Sequence, residues 1–262
     1  MRARIRGWVV LVYTAASMVT FFLLSLPDTL LGRGQLAMWF ARFAWSRSIL
    51  RLAGARVRVL RLPPLPDGPL IFASNHESAL DILALVARLP RTVRFIAKLE
   101  LFKIPVFGLY MRLGGHIPVD RGNHARAIES LRQAGAAVRG GTSLIVFPEG
   151  TRSTDLRVHP FKKGPFVVAM EAGVPVVPVA ISGAGRITPK RAIAVYPGEI
   201  RIALGDPVDP RAFPNKTALL VEVRRRVIEQ HLAIGGAGGD TRDAVAAPGR
   251  EGTSASADGA PV

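Results

Sequence analysis

Apolar and polar positions divide the chain into three unequal parts. Residues 1–6 carry Arg2, Arg4 and Arg6, and residues 7–26 then run without a charge. That length suits a helix within a membrane. A second apolar segment, 35–53, holds Trp39, Phe40, Phe43, Trp45 and Leu50 but is interrupted by Arg42, Arg47 and Arg51. Arg47 falls near the Phe43 side, so the segment is not cleanly two-faced. An interfacial helix whose arginines reach back to water fits this pattern, with a helix packed on the domain as the alternative.

From Val57 the pattern changes to short apolar runs alternating with helical periodicities. It predicts strands at 57–62, 70–74, 94–97, 116–119, 143–147, 176–181, 192–196 and 201–204. Helices are predicted at 80–89, 106–113, 124–139, 166–172 and 216–232, with Asn123 as a cap. Tyr196-Pro197-Gly198-Glu199 reads as a turn between two late strands. After Ile234 the chain becomes Gly-, Ala- and Ser-rich without apolar periodicity, which predicts a disordered tail. The expected organisation is a hydrophobic two-helix membrane-association segment (1–54), an α/β domain with a mixed sheet flanked by helices (55–234) and the tail (235–262).

Composition sharpens the picture. The 262 residues carry a formal net charge of +16 and are 49% hydrophobic. Positive charge alone suits nucleic acid or an anionic membrane surface. The apolar content favours the membrane, and the aromatics cluster in the N-terminal segments rather than on a basic stripe, so no nucleic-acid partner is expected. The absence of Cys excludes disulfides, thiolate catalysis and Cys-based zinc sites. A cleaved signal peptide is the rival reading of 7–26, but Ser25-Leu26-Pro27-Asp28-Thr29 offers no small-x-small cleavage site, which favours a retained anchor. The three early arginines hold the N-terminus in the cytoplasm. One full span would put the domain outside. A helix pair that dips in and returns keeps it at the cell membrane's cytoplasmic face.

The candidate chemistry starts at Ser74-Asn75-His76-Glu77-Ser78-Ala79-Leu80-Asp81, between a buried strand and a helix. Strand ends are where open α/β sheets collect reactive groups. His76 and Asp81 can face one another across the turn, the carboxylate orienting the ring and leaving its second nitrogen free to take a proton. No Cys and no Gly-x-Ser-x-Gly elbow supplies a nucleophile. A base without a protein nucleophile points to the substrate's own hydroxyl. Alone, the Asn-His pair could simply cap a helix. A second strand end carries Phe147-Pro148-Glu149-Gly150-Thr151-Arg152-Ser153, in which Arg152 offers a forked donor for phosphate.

Together these blocks resemble the glycerolipid acyltransferase family, in particular its 1-acylglycerol-3-phosphate acyltransferases. Lys98, Leu101, Pro105, Gly108, Gly115 and Arg121 fall at that family's spacing, Val174-Pro175-Val176-Val177-Pro178-Val179 resembles its Val-Pro-x-x-Pro strand, and Phe161-Lys162-Lys163-Gly164 is a further element like the family's. The resemblance implies transfer of an acyl chain from acyl-CoA or acyl carrier protein to a lysophospholipid hydroxyl, with His76 as base, Asp81 as its partner, no cofactor and no metal. It implies that Arg121 and Arg152 hold the acceptor's phosphate and that Glu149 binds the glycerol hydroxyl or orients Arg152. Gly150 lets the backbone turn close to substrate, and Thr151 belongs to the same binding loop. Lys98 either serves the phosphate or is a solvated lysine. His116, His124, His159 and His231 lack a matching partner and read as structural or exposed. One departure stands out: Ile117-Pro118-Val119-Asp120-Arg121 keeps the arginine but has Pro118 where the family shows an aromatic.

The leading expectation is a membrane-bound enzyme that makes phosphatidic acid. Acylation of another lysolipid, such as lyso-ornithine lipid, uses the same motifs. A hydrolase using water, or a non-catalytic basic protein that tethers to lipid, are the readings of other classes.

Overall fold

The structure, a computed structural model, describes residues 1–31, 36, 39–120 and 122–240. Helix α1 (Arg2–Leu30) extends the expected apolar run at both ends. It is the one described helix long and apolar enough to cross a membrane. Its buried positions, Gly7, Val10, Ser17, Phe22 and Ser25, recur at helical spacing and seat it on the domain. Contact is closest at Gly7, where a Cβ would lie 1.6 Å from the Ile193 carbonyl oxygen, so only glycine fits. Trp8, Val9, Leu11, Val12, Leu23 and Leu24 remain exposed.

The second segment is helical where it is described; residues 35, 37 and 38 lie outside the described part. A π-helical stretch, Phe40–Trp45, runs into α2 (Ser46–Leu52). Ser46, Ile49 and Leu50 pack inward, while Trp39 and Phe43 stay exposed. Arg42 and Arg47 lie over the Phe43 ring at 5.3 and 4.9 Å. The segment thus has an inner face on the domain and an outer face with Trp39 and Phe43.

The domain is built on a seven-stranded mixed sheet in the order β1-β7-β6-β2-β5-β3-β4. Its strands are β1 (Ala55–Arg61), β2 (Ile71–Ser74), β3 (Val93–Lys98), β4 (Ile117–Val119), β5 (Ser143–Val146), β6 (Val176–Ser182) and β7 (Gly198–Leu204). Strands β6, β2, β5, β3 and β4 are mutually parallel, and β7 joins β6 antiparallel. Buried on both faces, β2, β5 and β6 are continuous apolar runs rather than alternating ones. Helices α3 (Leu80–Arg88), α4 (Phe107–Leu113), α5 (His124–Arg139), α6 (Gly164–Ala172), α7 (Ala184–Ile187) and α8 (Lys216–Ala233) connect and cover the strands. Successive strand residues supply opposite cores. Phe72, Ile145, Val177 and Ile181 meet Ile49 of α2 and Leu83 of α3, whereas Ile71, Ala73, Leu144 and Val146 meet Val138, Phe166 and Val223 of α5, α6 and α8. Asn123 caps α5 as expected, its side chain accepting from the Arg126 amide.

Three expectations need correction. Residues 192–196 do not form a strand. Their amides are taken by helices instead: Val195 N–H donates to Ala3 of α1 (2.9 Å) and Tyr196 N–H to Ile187 of α7 (2.9 Å). With no strand before it, the Tyr196–Glu199 turn is absent too, and Gly198 opens β7. Finally, order persists past Gly235. Gly236 N–H donates to the His231 carbonyl (2.7 Å) and Val158 N–H to Gly238 (2.8 Å), so the glycines pack close to the domain rather than fray. Residues 241–262 lie outside the described part.

Candidate active site

Parallel pairing brings the carboxyl ends of β2, β5, β3, β4 and β6 to one sheet edge. The loop after β2 continues the sheet with a side chain: Asn75 Nδ2 donates to the Ile181 carbonyl (2.9 Å), and Ile181 N–H donates to Asn75 Oδ1 (2.8 Å). This fixes the register of His76. The His76 amide donates to Glu149 Oε1 (3.1 Å), and its carbonyl accepts from Ser153 N–H (2.7 Å). Both backbone groups are thus held by the loop that follows β5.

Asp81 lies in the first turn of α3 and is fully buried. Its Oδ2 accepts from three donors: His76 Nδ1 (2.8 Å), Glu77 N–H (2.7 Å) and Ser78 N–H (2.8 Å). An ionised carboxylate is acceptor-only, so Nδ1 donates to it, and in the neutral ring Nε2 is then the basic nitrogen. The imidazole stacks on Phe147 with centroids 4.0 Å apart, and the His76 side chain keeps 14% of its surface exposed. Burial pushes the Asp81 carboxyl above the ordinary aspartate range, against the lowering effect of the His76 hydrogen bond.

The other expected site residues are placed unevenly. Glu149 is buried behind the dyad. Its carboxylate accepts from the His76 backbone rather than orienting Arg152. Burial raises its carboxyl well above the usual range, opposed by the hydrogen bond from His76. Gly150 turns at φ 77° beside the Lys162 side chain. Arg152 is half-buried and, among the described residues, has no carboxylate partner. Lys98, at the end of β3, pairs with Glu100 (3.2 Å) and is more than half exposed. Arg121 and the side chain of His124 lie outside the described part.

Of the remaining histidines, His116 is buried between Phe95 and Tyr110. Burial, aided by the Arg94 charge, lowers its pKa to about 3. His159 Nε2 meets Asp155 (2.8 Å) in the loop beyond Arg152. Buried Arg224 of α8 pins that loop through the carbonyls of His159 (3.1 Å) and Val158 (3.2 Å). Sequence reasoning missed Lys190. Its ammonium donates to the Arg152 carbonyl (2.7 Å) and reaches Thr151 Oγ1 (3.4 Å), holding the loop from the far side of β6. No local motif marks it, because only the fold brings Lys190 there.

A family model for acyltransferases matches residues 56–182, the span that holds His76, Asp81, Lys98 and Glu149–Arg152. Just under half of the chain, residues 56–182, is thus similar to the acyltransferase family. The match begins at β1 and ends at the last residue of β6. Outside it, β7 and α8 complete the α/β domain. A chloroplastic 1-acyl-sn-glycerol-3-phosphate acyltransferase of Brassica napus is 36% identical over 172 residues, 65% of this chain and 48% of that one. The enzyme of that name from Pseudomonas aeruginosa is 32% identical over 168 residues, 63% of this chain and 64% of that one. The chain spans about half the length of the first curated relatives it matches. The crystal structure of the 1-acyl-sn-glycerophosphate (LPA) acyltransferase PlsC from Thermotoga maritima aligns with a TM-score of 0.78 at 28% identity, covering 88% of this chain and 95% of that one. The α/β domain of this chain is therefore similar in fold to that enzyme.

The Glu149 geometry makes a prediction. Burial disfavours the charged form of Glu149, and an amide, which carries no charge, keeps an oxygen that accepts from His76 N–H. Glu149→Gln is expected to keep kcat within a few-fold, whereas Glu149→Ala orphans a buried donor, at a cost of about 1–3 kcal/mol, and loses about tenfold or more. Steady-state kcat and acceptor KM decide: a Gln variant whose main defect is a raised acceptor KM would move Glu149 to the substrate side.

Proposed function

We propose that the protein transfers a fatty acyl chain from acyl-CoA or acyl carrier protein to the sn-2 hydroxyl of lysophosphatidic acid, giving phosphatidic acid. The observation that carries the reading is the 2.8 Å pair between His76 Nδ1 and Asp81 Oδ2, beside the loop that carries Arg152. The names of the relatives agree with it. An alcohol is a weak nucleophile at neutral pH, so His76 Nε2 takes its proton as the oxygen attacks the thioester carbonyl carbon. A C–O bond forms and the carbonyl π pair moves onto oxygen. Collapse of this adduct breaks the C–S bond, and the departing thiolate recovers the proton from the imidazolium. Asp81 holds the tautomer and stabilises the imidazolium between these steps. The reaction needs no cofactor beyond the thioester.

Arg152, with Arg121 and Lys98, supplies positive charge for the acceptor's phosphate in this reading. Membrane association is supported by the apolar outer face of α1 and the exposed Trp39 and Phe43. Because the other face of α1 is seated on the domain, the helix pair would enter one leaflet only, keeping the catalytic domain at the cytoplasmic face of the cell membrane.

One assay tests activity and sidedness together. Acyl-CoA does not cross bilayers, so thiol release is measured in sealed inside-out vesicles, with and without lysophosphatidate. Release that depends on the acceptor and needs no detergent is expected. Release without any acceptor would favour hydrolysis, and activity only after detergent would put the domain on the other face. Arg152→Ala is expected to raise acceptor KM by about tenfold or more with a smaller effect on acyl-CoA, the loss of one charge-assisted phosphate contact. A defect confined to acyl-CoA would move Arg152 to the donor. Since Pro118 interrupts the family-like block before Arg121, lyso-ornithine lipid and other lysophospholipids belong in the same acceptor panel.

A further inference from the structure

Glu77 follows the base in sequence yet turns its side chain away from it. It is almost fully buried. Its Oε2 accepts from Gly183 N–H (3.0 Å) and Gly185 N–H (3.1 Å), in the turn that leads from β6 into α7. Its Oε1 meets Nε2 of His231 (3.2 Å), a fully buried residue in the last turn of α8 and 154 positions away. Gly238 N–H donates to His231 Nδ1 (3.1 Å), so the ring proton sits on Nε2 and points at Glu77. The strap after α8 closes tightly over this pair. A Cβ at Gly236 would stand 2.3 Å from His231 Nε2.

The main-chain N–H of Glu77 donates to Asp81 Oδ2 (2.7 Å), the oxygen that holds His76 Nδ1. Hydrogen bonds thus link the strap to His231 and His231 to the Glu77 side chain, and the Glu77 main chain continues the connection to Asp81 and the base. A buried carboxylate is costly to desolvate, and apolar groups would fill such a space at least as well for stability alone. Its place one residue beyond His76 gives it a further use. We infer that Glu77 and His231 are positioning residues, which fix the peptide between His76 and Ser78 and so aim Asp81 at the imidazole. The inference rests on His76 acting as base.

The test measures kcat, both KM values and the melting temperature for Glu77→Gln, His231→Gln, His231→Leu and the Glu77→Gln/His231→Gln double variant, with lysophosphatidate and acyl-CoA as substrates. In Glu77→Gln an amide NH₂ faces the His231 Nε2–H. Moving the ring proton to Nδ1 only transfers the clash to Gly238 N–H. This variant and His231→Leu are expected to lose about ten- to a hundredfold in kcat, the scale of a misplacement of about 1 Å, with both KM values nearly unchanged. His231→Gln still donates to Glu77 and is expected to lose much less. In the double variant the amide that replaces the imidazole can turn its oxygen towards the new NH₂ at position 77, so kcat recovers above that of Glu77→Gln alone.

Wild-type kcat in Glu77→Gln and His231→Leu would overturn the inference. So would a double variant whose loss is the product of the two single losses, or a loss that appears in KM or tracks the melting temperature. If the wild-type chain transfers nothing, or His76→Ala matches it, the base reading falls and this inference with it. If the wild type is active and needs His76 while these variants equal it, only the Glu77–His231 inference falls.

Discussion

Replacing His76 by alanine is expected to lower acyl transfer by about 10²–10⁴-fold while leaving the protein folded. The two effects separate because the side chain and the backbone of His76 have different partners. The backbone is held by Glu149 and Ser153, and these bonds survive the substitution. The ring stacks on Phe147 and bonds to Asp81, and it is partly open to solvent. Its removal leaves Asp81 with two of its three donors, Glu77 N–H and Ser78 N–H. Binding of lysolipid and thioester, which does not depend on the base, is expected to change little. Thiol release and the melting temperature of the purified variant check this. A variant within tenfold of wild-type kcat would remove His76 from the chemistry.

Asp81→Asn should have the second-largest effect, for a different reason. The backbone amides of Glu77 and Ser78 both require an acceptor at the Oδ2 position. They orient the new amide so that its oxygen stays there and its NH₂ takes the place of Oδ1. His76 Nδ1 therefore keeps an acceptor, and the tautomer is preserved. What disappears is the negative charge that stabilises the imidazolium as the proton is taken. A fall of about 10²-fold or more in kcat is expected, with KM values held, and Asp81→Ala should lose more because it orphans two buried amides as well.

Stability is expected to move the opposite way. Burial raises the folded pKa of Asp81, so above the unfolded value the folded state binds more protons than the unfolded chain. The stability contributed by this residue thus falls as pH rises from its unfolded pKa towards its folded one. Asn has no charge to bury, so the variant should melt no lower than wild type at neutral pH and lose that part of the pH dependence. A much lower melting temperature for Asp81→Asn would contradict this account of the carboxylate.

Local pattern was enough where local physics decides. The continuous apolar runs of β2, β5 and β6 announced strands covered on both faces, and the strand-to-helix spacing brought His76 and Asp81 within reach of each other. It was not enough where a partner lies far along the chain. Residues 192–196 have the composition of a strand, but their amides were claimed by Ala3 and Ile187, which no window around them contains. Glu149 sits in a loop motif that suggests an open carboxylate, yet the fold encloses it behind the base. Lys190 and His231 carry no motif at all. Lys190 acquires its contact with the loop after β5, and His231 its contact with Glu77 in the loop after β2, only once the chain is folded. The segment from Gly235 reads as disorder because its apolar content is low, although the small size of Gly236 is what lets the chain pass over His231.

The crossing of α1 at Gly7 and Ile193, with Val195 bonded to Ala3, makes the first helix a wall of the folded body. Deleting it to obtain a water-soluble enzyme would uncover the 193–195 segment and strip Val195 of its acceptor. A soluble form is better sought by exchanging the outward Trp8, Leu11, Val12, Leu23 and Leu24 for polar residues, while the inward Val10 and Phe22 stay as they are.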